Sequence, residues 1–377
     1  MPAANIRQVR LFILIFIVVY FILLQIVSNH DSLYGFSYWL IPDSITNYEL
    51  TRGLVTGEFL LGDFLASAGV PLFYSFFYYF GIFGFIIANV GILTIGARYY
   101  GLVVFYASLL LFPHYLQLLV LPSKDMMVLG IYFATIFHLL RGNWLTAVII
   151  SICSYFIRDG AIFVLLPLIA VAFLIKKQNI RPLRIVIASL LFGIVVFAML
   201  EVVASELFVV SRNLYAAKEN ASDAVRNLPP GISYLARVFF NLTNMAFRLT
   251  FVDVLGRISI ASIFMYISGV SSLVCAIVAT NIILKSTDQK LQIVATCFFV
   301  SLFVISLNPF VQGRYQLPMS IVASIILFST VKPKKLIRLY GFVILASFIF
   351  RLIYWVLDIP FPELEVNPVD LLGLVNG

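Results

Sequence analysis

The chain has 377 residues, of which 62% are apolar and only 11% are charged, and its mean hydropathy is +1.06. Soluble domains carry about 25% charged residues, and a single soluble core stops growing at about 250–300 residues. The composition therefore excludes a soluble enzyme, a disulfide scaffold and a disordered chain. It predicts an integral membrane protein.

Apolar runs predict one all-α, polytopic transmembrane domain over residues 1–377. Arg7 and Arg10 precede an apolar run at 11–28 that no cleavage motif follows, which predicts an uncleaved signal anchor and a cytoplasmic N-terminus. At about 20 residues per span, further runs bring the prediction to about eleven transmembrane helices. These runs lie at residues 71–97, 102–120, 126–140, 144–157, 161–175, 185–204, 259–284, 291–307, 319–331 and 339–357.

Basic residues are distributed unequally over the two sides of this topology. The predicted inner loops hold 14 of the 25 Lys and Arg residues but only one of the 17 Asp and Glu residues, Asp288. The other 11 bases and 16 acids give −5 against +13 inside, which adds up to the net charge of +8. Such an excess is typical of cytoplasmic loops, so it requires no nucleic-acid partner.

Residues 232–256 fit this topology less simply. They are largely apolar but contain Arg237, Arg248 and Asp253, and they follow a polar outer stretch at 205–230. We expect a re-entrant or interfacial helix on the outer side. A full crossing would raise the count to twelve spans and turn the basic run at 332–338 outward, which the positive-inside rule disfavours.

Ionisable residues gather at the outer membrane boundary, in the outer loops 29–70 and 205–258 and in the short loops between spans. Ionisable groups beside spans cost free energy and are functional candidates. Because short loops stay close to the helix ends, we expect these groups to line one cavity. The candidate residues are Asp43, Tyr48, Arg52, Lys124, Asp125, Arg158, Asp159, Arg248, Arg257, Arg314 and Tyr315.

This set of residue types predicts a phosphate-bearing lipid substrate. Arginine forks bind phosphate through paired hydrogen bonds, and a nearby carboxylate can accept a proton from an attacking hydroxyl. The same residues also have simpler structural interpretations. Lys124-Asp125 and Arg158-Asp159 would also serve as helix caps, and Arg314 would also reach lipid headgroups from within the membrane.

Four short motifs carry a resemblance to a known group of enzymes. They are Asp43…Asn47-Tyr48, Pro-Ser-Lys-Asp at 122–125, Arg-Asp-Gly at 158–160 and Arg-Tyr-x-x-Pro at 314–318. Together they resemble the EpsG/Wzy-like polysaccharide polymerases and, more loosely, the GT-C membrane glycosyltransferases. The paired R-x10-G motifs of some Wzy proteins do not occur, since eleven residues separate Arg257 from Gly269.

The resemblance implies a polyprenyl-diphosphate-linked saccharide as substrate and Asp43 as the catalytic base, with Asp125 or Asp159 as alternates. Arg158, Arg314 and either Arg248 or Arg257 would neutralise the leaving diphosphate. In the same hypothesis Lys124 orients Asp125, Arg52 adds to the substrate-binding set, and Tyr48 and Tyr315 stack on sugar rings.

The expected reaction is glycosyl transfer on the extracytoplasmic side of a bacterial inner membrane, and it requires no cofactor. No His, Cys or Asp spacing demands a metal, although a divalent ion beside the carboxylates stays open. Membrane lipid and other polysaccharide-assembly proteins are the further partners. The competing functions are a flippase for lipid-linked oligosaccharides and a non-catalytic subunit of a polysaccharide-assembly machine.

Overall fold

The structure, a computed structural model, describes residues 42–58, 68–119, 122–158, 160–207, 229–243, 245–247, 260–307 and 313–356. Within these residues all regular elements are helical and no β-strand occurs, which confirms the predicted all-α class for this part of the chain. The helices α1 to α14 are, in order, Pro42–Thr56, Gly69–Ser75, Gly81–Tyr100, Val103–Tyr106, His114–Gln117, Lys124–Arg141, Trp144–Cys153, Ala161–Lys176, Pro182–Leu207, Pro230–Thr243, Ile260–Lys285, Gln289–Ile305, Leu317–Leu327 and Pro333–Val356.

Four of the described helices are long and apolar enough to cross a membrane. The qualifying segments are Phe83–Tyr100, Pro182–Met199, Ile263–Lys285 and Pro333–Ile353. Shorter apolar helices coincide with several of the other predicted spans, and the predicted first span at 11–28 lies outside the described residues. The chain thus has the helices of a membrane protein, while the count of about eleven spans stays a prediction.

The apolar run at 102–120 does not form one continuous helix. It begins as α4, passes through a π-helical turn at Ala107–Leu111 and resumes after Pro113 as α5. Proline has no backbone N–H and disfavours helical geometry in the residue before it. Phe112 accordingly has φ −127° and ψ 63°, so the break has a direct cause in the sequence.

Part of the predicted first outer loop is helical. Pro42 begins α1, where its fixed φ suits the first turn of a helix. Gly57 follows the last residue of α1 with φ +81°, the left-handed conformation that commonly ends helices. Residues 42–56 are too polar for a transmembrane span, and the sequence therefore predicted a loop here. The chain forms a helix instead.

Helix α12 lies at the centre of the described bundle. It packs against α8, α9, α11 and α13, and its side chains from Ile293 to Ile305 are almost all buried. A helix that is apolar all round is covered either by other helices or by lipid, and α12 is covered by other helices. Its position matters for the site because α12 supplies polar anchors near its C-terminal end.

The helices around α12 give the bundle two distinct ends. Leu140, Lys176 and Asp288 line one pocket of about 370 Å³, which places the ends of α6 and α8 beside the start of α12. We call this the basic end. The starts of α6 and α8 lie at the opposite end, about 27 Å away for an 18-residue helix. We call that the site end.

Candidate functional site

An ion pair joins the starts of two helices at the site end. Arg158 Nη1 lies 2.7 Å from Asp125 Oδ1, and the two side chains are only 22% and 12% exposed. A charged pair that is largely withdrawn from water interacts more strongly than a surface pair. The structure therefore brings together two of the residues that the sequence singled out.

Asp125 owes its position to the cap of α6. Ser123 has extended backbone geometry, and its hydroxyl oxygen accepts a hydrogen bond from the Met126 N–H at 3.2 Å. Lys124 and Asp125 follow in the first turn of the helix. A carboxylate there is favoured by the helix dipole, so capping and pairing with Arg158 act on Asp125 together.

A buried network holds the chain that leads into this cap. Asn89 donates two hydrogen bonds from Nδ2, to the carbonyl oxygens of Leu118 at 3.1 Å and Leu119 at 2.9 Å. Its Oδ1 accepts the hydroxyl hydrogen bond of Tyr74, which also lies 3.5 Å from the Ser123 carbonyl oxygen. Because buried polar groups are costly unless they are bonded, this network fixes the approach to α6.

Arg158 lies in the short connection between α7 and α8. Its N–H donates to the Ser154 carbonyl oxygen at 2.9 Å, and its own carbonyl oxygen accepts from the Ala161 N–H at 2.9 Å. The Arg158 backbone is therefore bonded to the 3₁₀ turn Ser154–Phe156 that follows α7 and to the first residue of α8. The guanidinium group projects from an anchored turn rather than from a free loop.

Tyr315 completes the cluster from a third part of the chain. The Arg158 guanidinium carbon lies 3.9 Å from the centroid of the Tyr315 ring, the geometry of a cation–π contact. Tyr315 belongs to a 3₁₀ helix, Gly313–Gln316, and the next residue is anchored on α12. Gln316 donates to the Phe298 carbonyl oxygen at 3.0 Å and accepts from the Ser301 hydroxyl at 2.9 Å.

The cluster leaves the guanidinium group able to bind more. Arginine has five N–H donors in a planar fork, and within the described part of the chain Asp125 is the hydrogen-bond partner of only one of them. Arg158 is thus held by a carboxylate and an aromatic ring while further donors remain for an oxyanion. Bidentate binding of a phosphate group needs two such donors.

Two predicted site residues make different contacts. Tyr48, a residue of α1, packs against two aromatic rings. Its ring centroid lies 6.1 Å from that of Tyr78 and 6.0 Å from that of Phe85. Burial raises the pKa of the Tyr48 phenol, and the Tyr78 hydroxyl adds to this effect. Arg52 forms an ion pair with Glu49 at 2.8 Å in which both side chains are almost half exposed. Neither residue touches the Asp125–Arg158 pair in the described contacts.

The remaining candidates are placed only in part. Lys124 is half-buried beside Asp125. Asp43 lies in α1 and Arg314 in the 3₁₀ helix before α13, but their side chains lie outside what the structure describes. Asp159, Arg248 and Arg257 also lie outside the described residues. Their roles stay predictions.

Helix α10 turns its polar side into the protein. Ser233, Arg237 and Asn241 are buried, whereas Ile232 and Phe239 are more than half exposed. In water an amphipathic helix would be oriented the other way round, so this orientation suits an apolar surrounding on the exposed side. Residues 230–243 are thus helical, and most of the remainder of the predicted stretch 232–256 lies outside the described residues. The re-entrant or interfacial placement stays a prediction.

The polar side of α10 reaches the site end, and sequence reasoning did not select it. The helix packs against the Gly313–Gln316 segment and α12. Asn241 Nδ2 donates to the Ser306 hydroxyl at 3.0 Å, just beyond the end of α12. The signal was present, since Ser233, Arg237 and Asn241 recur every four residues and so share one face.

The described residues contain no group of three or more His, Cys, Asp or Glu side chains that could hold a metal ion. No family model, curated protein or solved structure matches the chain.

Proposed function

We propose that this protein transfers a glycosyl group from a polyprenyl-diphosphate-linked saccharide to a sugar hydroxyl, and so polymerises the repeat units of a surface polysaccharide such as O-antigen, capsule or exopolysaccharide. The observation that carries the proposal is the arrangement of Arg158, which is held between the Asp125 carboxylate and the Tyr315 ring and which, among the described residues, uses one of its five N–H donors in a hydrogen bond. Such an arginine suits a phosphate oxyanion at a membrane boundary.

The reaction divides between these residues in a simple way. The acceptor hydroxyl loses its proton to a carboxylate, proposed as Asp43, and its oxygen bonds to the anomeric carbon. The bond from that carbon to the phosphate oxygen breaks, and polyprenyl diphosphate leaves. Arg158 stabilises the negative charge that develops on the leaving group, while Asp125 and Tyr315 keep the guanidinium group oriented.

The proposal includes a topology. About eleven spans with a cytoplasmic N-terminus put the site end on the extracytoplasmic face of a bacterial inner membrane. Support comes from the basic end, where Lys176 and Lys290 line the pocket and Arg141 is the last residue of α6. Basic residues favour the cytoplasmic side, so the site end is expected to face outward.

The test substitutes the two paired residues in the host and measures the length of surface polysaccharide. Arg158→Gln and Asp125→Asn should each shorten or abolish the polymer and leave single lipid-linked units on the outer face. The matched control is Arg338→Gln, an exposed arginine on α14, which should keep full-length polymer. Membrane-fraction immunoblots establish that each variant is inserted in normal amount.

Two results would contradict the proposal. Normal polymer length in both inserted variants would remove the ion pair from any transfer reaction and leave a non-catalytic subunit as the better hypothesis. Lipid-linked units trapped on the inner face would indicate a lost flippase instead.

A further inference from the structure

A line of polar side chains on α10 forms a second group of ligand-binding candidates at the site end. Ser233, Arg237 and Asn241 lie four residues apart, so they form one stripe along about 12 Å of the helix. All three are buried. We call them the α10 stripe.

Two atoms of the stripe have no partner among the described residues. The Ser233 hydroxyl oxygen and Asn241 Oδ1 are both inaccessible to solvent and make no hydrogen bond there. Leaving a buried polar atom unbonded costs about 1–3 kcal/mol. Such atoms in a native fold call for an explanation, and a bound ligand provides one.

The orientation of the Asn241 amide indicates what the ligand must offer. The Ser306 hydroxyl donates its single proton to the Leu302 carbonyl oxygen at 2.7 Å. Its oxygen must therefore accept from Asn241 Nδ2, at 3.0 Å. Asn241 Oδ1 is then left as an acceptor, and it needs a donor such as a sugar hydroxyl.

Arg237 and Ser233 offer hydrogen-bond donors, the opposite chemistry to Asn241 Oδ1. The Arg237 guanidinium carbon lies 4.9 Å from the centroid of the Phe197 ring, which fixes the cation beside α9. A guanidinium group offers donors only, and the Ser233 hydroxyl can donate as well. Both therefore suit an oxyanion. The complete stripe fits a phosphate with a hydroxyl-bearing group attached to it.

The other side of α10 indicates that this phosphate belongs to a lipid. Ile232, Leu235 and Phe239 are exposed on that side. One helix thus offers an apolar surface to hydrocarbon and a polar stripe to a headgroup. We propose that the α10 stripe binds the phosphate–sugar junction of the lipid-linked saccharide, an inference that rests on the proposed transfer function and assigns three further substrate contacts to it.

The experiment measures lipid binding to the purified full-length protein by native mass spectrometry. The probes are a polyprenyl-diphosphate-linked saccharide, sugar-free polyprenyl diphosphate, polyprenol and phosphatidylglycerol. Arg237→Gln should weaken binding of both diphosphate probes about tenfold or more and leave polyprenol binding unchanged. Asn241→Leu should weaken binding of the saccharide probe alone.

Two further variants keep the test interpretable. Ser233→Ala removes only a hydroxyl, so it should fold normally and weaken binding of both diphosphate probes by about two- to fivefold. Arg98→Gln removes an exposed arginine at the end of α3 and should change nothing. Equal affinities of the wild-type protein and Arg237→Gln would overturn the inference, and so would equally tight, Arg237-dependent binding of phosphatidylglycerol.

The outcome stays separate from the test of the proposed function. Normal polymer in Arg158→Gln contradicts glycosyl transfer whatever Arg237 binds. If Arg158→Gln loses the polymer and Arg237→Gln loses lipid binding, the proposed transfer function and the α10 stripe are both supported. If Arg158→Gln loses the polymer but Arg237→Gln binds lipid normally, only the proposed role of the α10 stripe is contradicted.

Discussion

Arg158 lies over the Tyr315 ring, with its guanidinium carbon 3.9 Å from the ring centroid. The contact joins the turn between α7 and α8 to the 3₁₀ helix before α13. Because Gln316 is bonded to α12, the ring is a fixed surface. Arg158 is thereby oriented by the protein before any ligand arrives, which reduces the entropy cost of binding an oxyanion.

The Asp125–Arg158 ion pair should contribute measurably to stability. Asp125→Asn, Arg158→Gln and the double variant form a mutant cycle, and we expect a coupling free energy of about 1 kcal/mol or more. Glu49 and Arg52 provide the matched control, because their ion pair has almost the same length but both side chains are nearly half exposed. Its coupling should be below about 0.5 kcal/mol.

The measurement is thermal unfolding of the purified variants in detergent. Equal coupling in the two cycles would show that burial adds nothing at the site end, and Arg158 would then be an ordinary surface residue.

Tyr315 should act through its ring and not through its hydroxyl group. Tyr315→Phe keeps an aromatic face under Arg158 and should leave polymer length near that of the wild type. Tyr315→Leu removes the cation–π contact, which is worth about 0.5–2 kcal/mol, and should shorten the polymer. If Phe and Leu have equal effects, the hydroxyl or the backbone matters and the ring contact does not.

The sequence allowed the all-α class to be predicted because apolar content dominates the composition. It also placed Asp125, Arg158 and Tyr315 among eleven candidates expected to line one cavity, because each lies in or beside a short predicted outer loop. Contacts between helices that are far apart in the sequence could not be predicted. Nothing local to Asn89 predicts that its amide bonds Leu118 and Leu119, since that depends on how α3 packs.

The inverted orientation of α10 was difficult for a related reason. Its apolar and polar residues alternate with helical periodicity in either orientation, and only the packing of Tyr234 and Asn241 against the end of α12 decides which side is buried. Periodicity shows that a helix has two sides, but it does not say which solvent each side meets.

Gly193 should be essential for docking α10 onto α9. A Cβ atom at this position would overlap the Tyr234 hydroxyl, which donates to the Phe303 carbonyl oxygen at 2.9 Å. Gly193→Ala should therefore destabilise the protein by about 1–3 kcal/mol through overpacking. Thermal unfolding in detergent measures the effect.

Gly91 is the matched control for that substitution. It lies within α3, and a Cβ atom there would meet nothing within 4 Å. Gly91→Ala should stabilise the helix by up to about 1 kcal/mol. A Gly193→Ala variant as stable as Gly91→Ala would mean that α10 does not pack against α9 as described.

The two ends of the bundle should face opposite sides of the membrane. Single cysteines at Glu58, which follows α1, and at Lys335, near the start of α14, test this in a Cys153→Ser background, because Cys153 is exposed whereas Cys275 and Cys297 are buried. A membrane-impermeant maleimide should label Glu58→Cys in intact cells. It should label Lys335→Cys only after permeabilisation, because cytoplasmic segments retain the basic residues. The reverse pattern would place the Asp125–Arg158 pair on the cytoplasmic side, where a donor that has already crossed the membrane could not reach it.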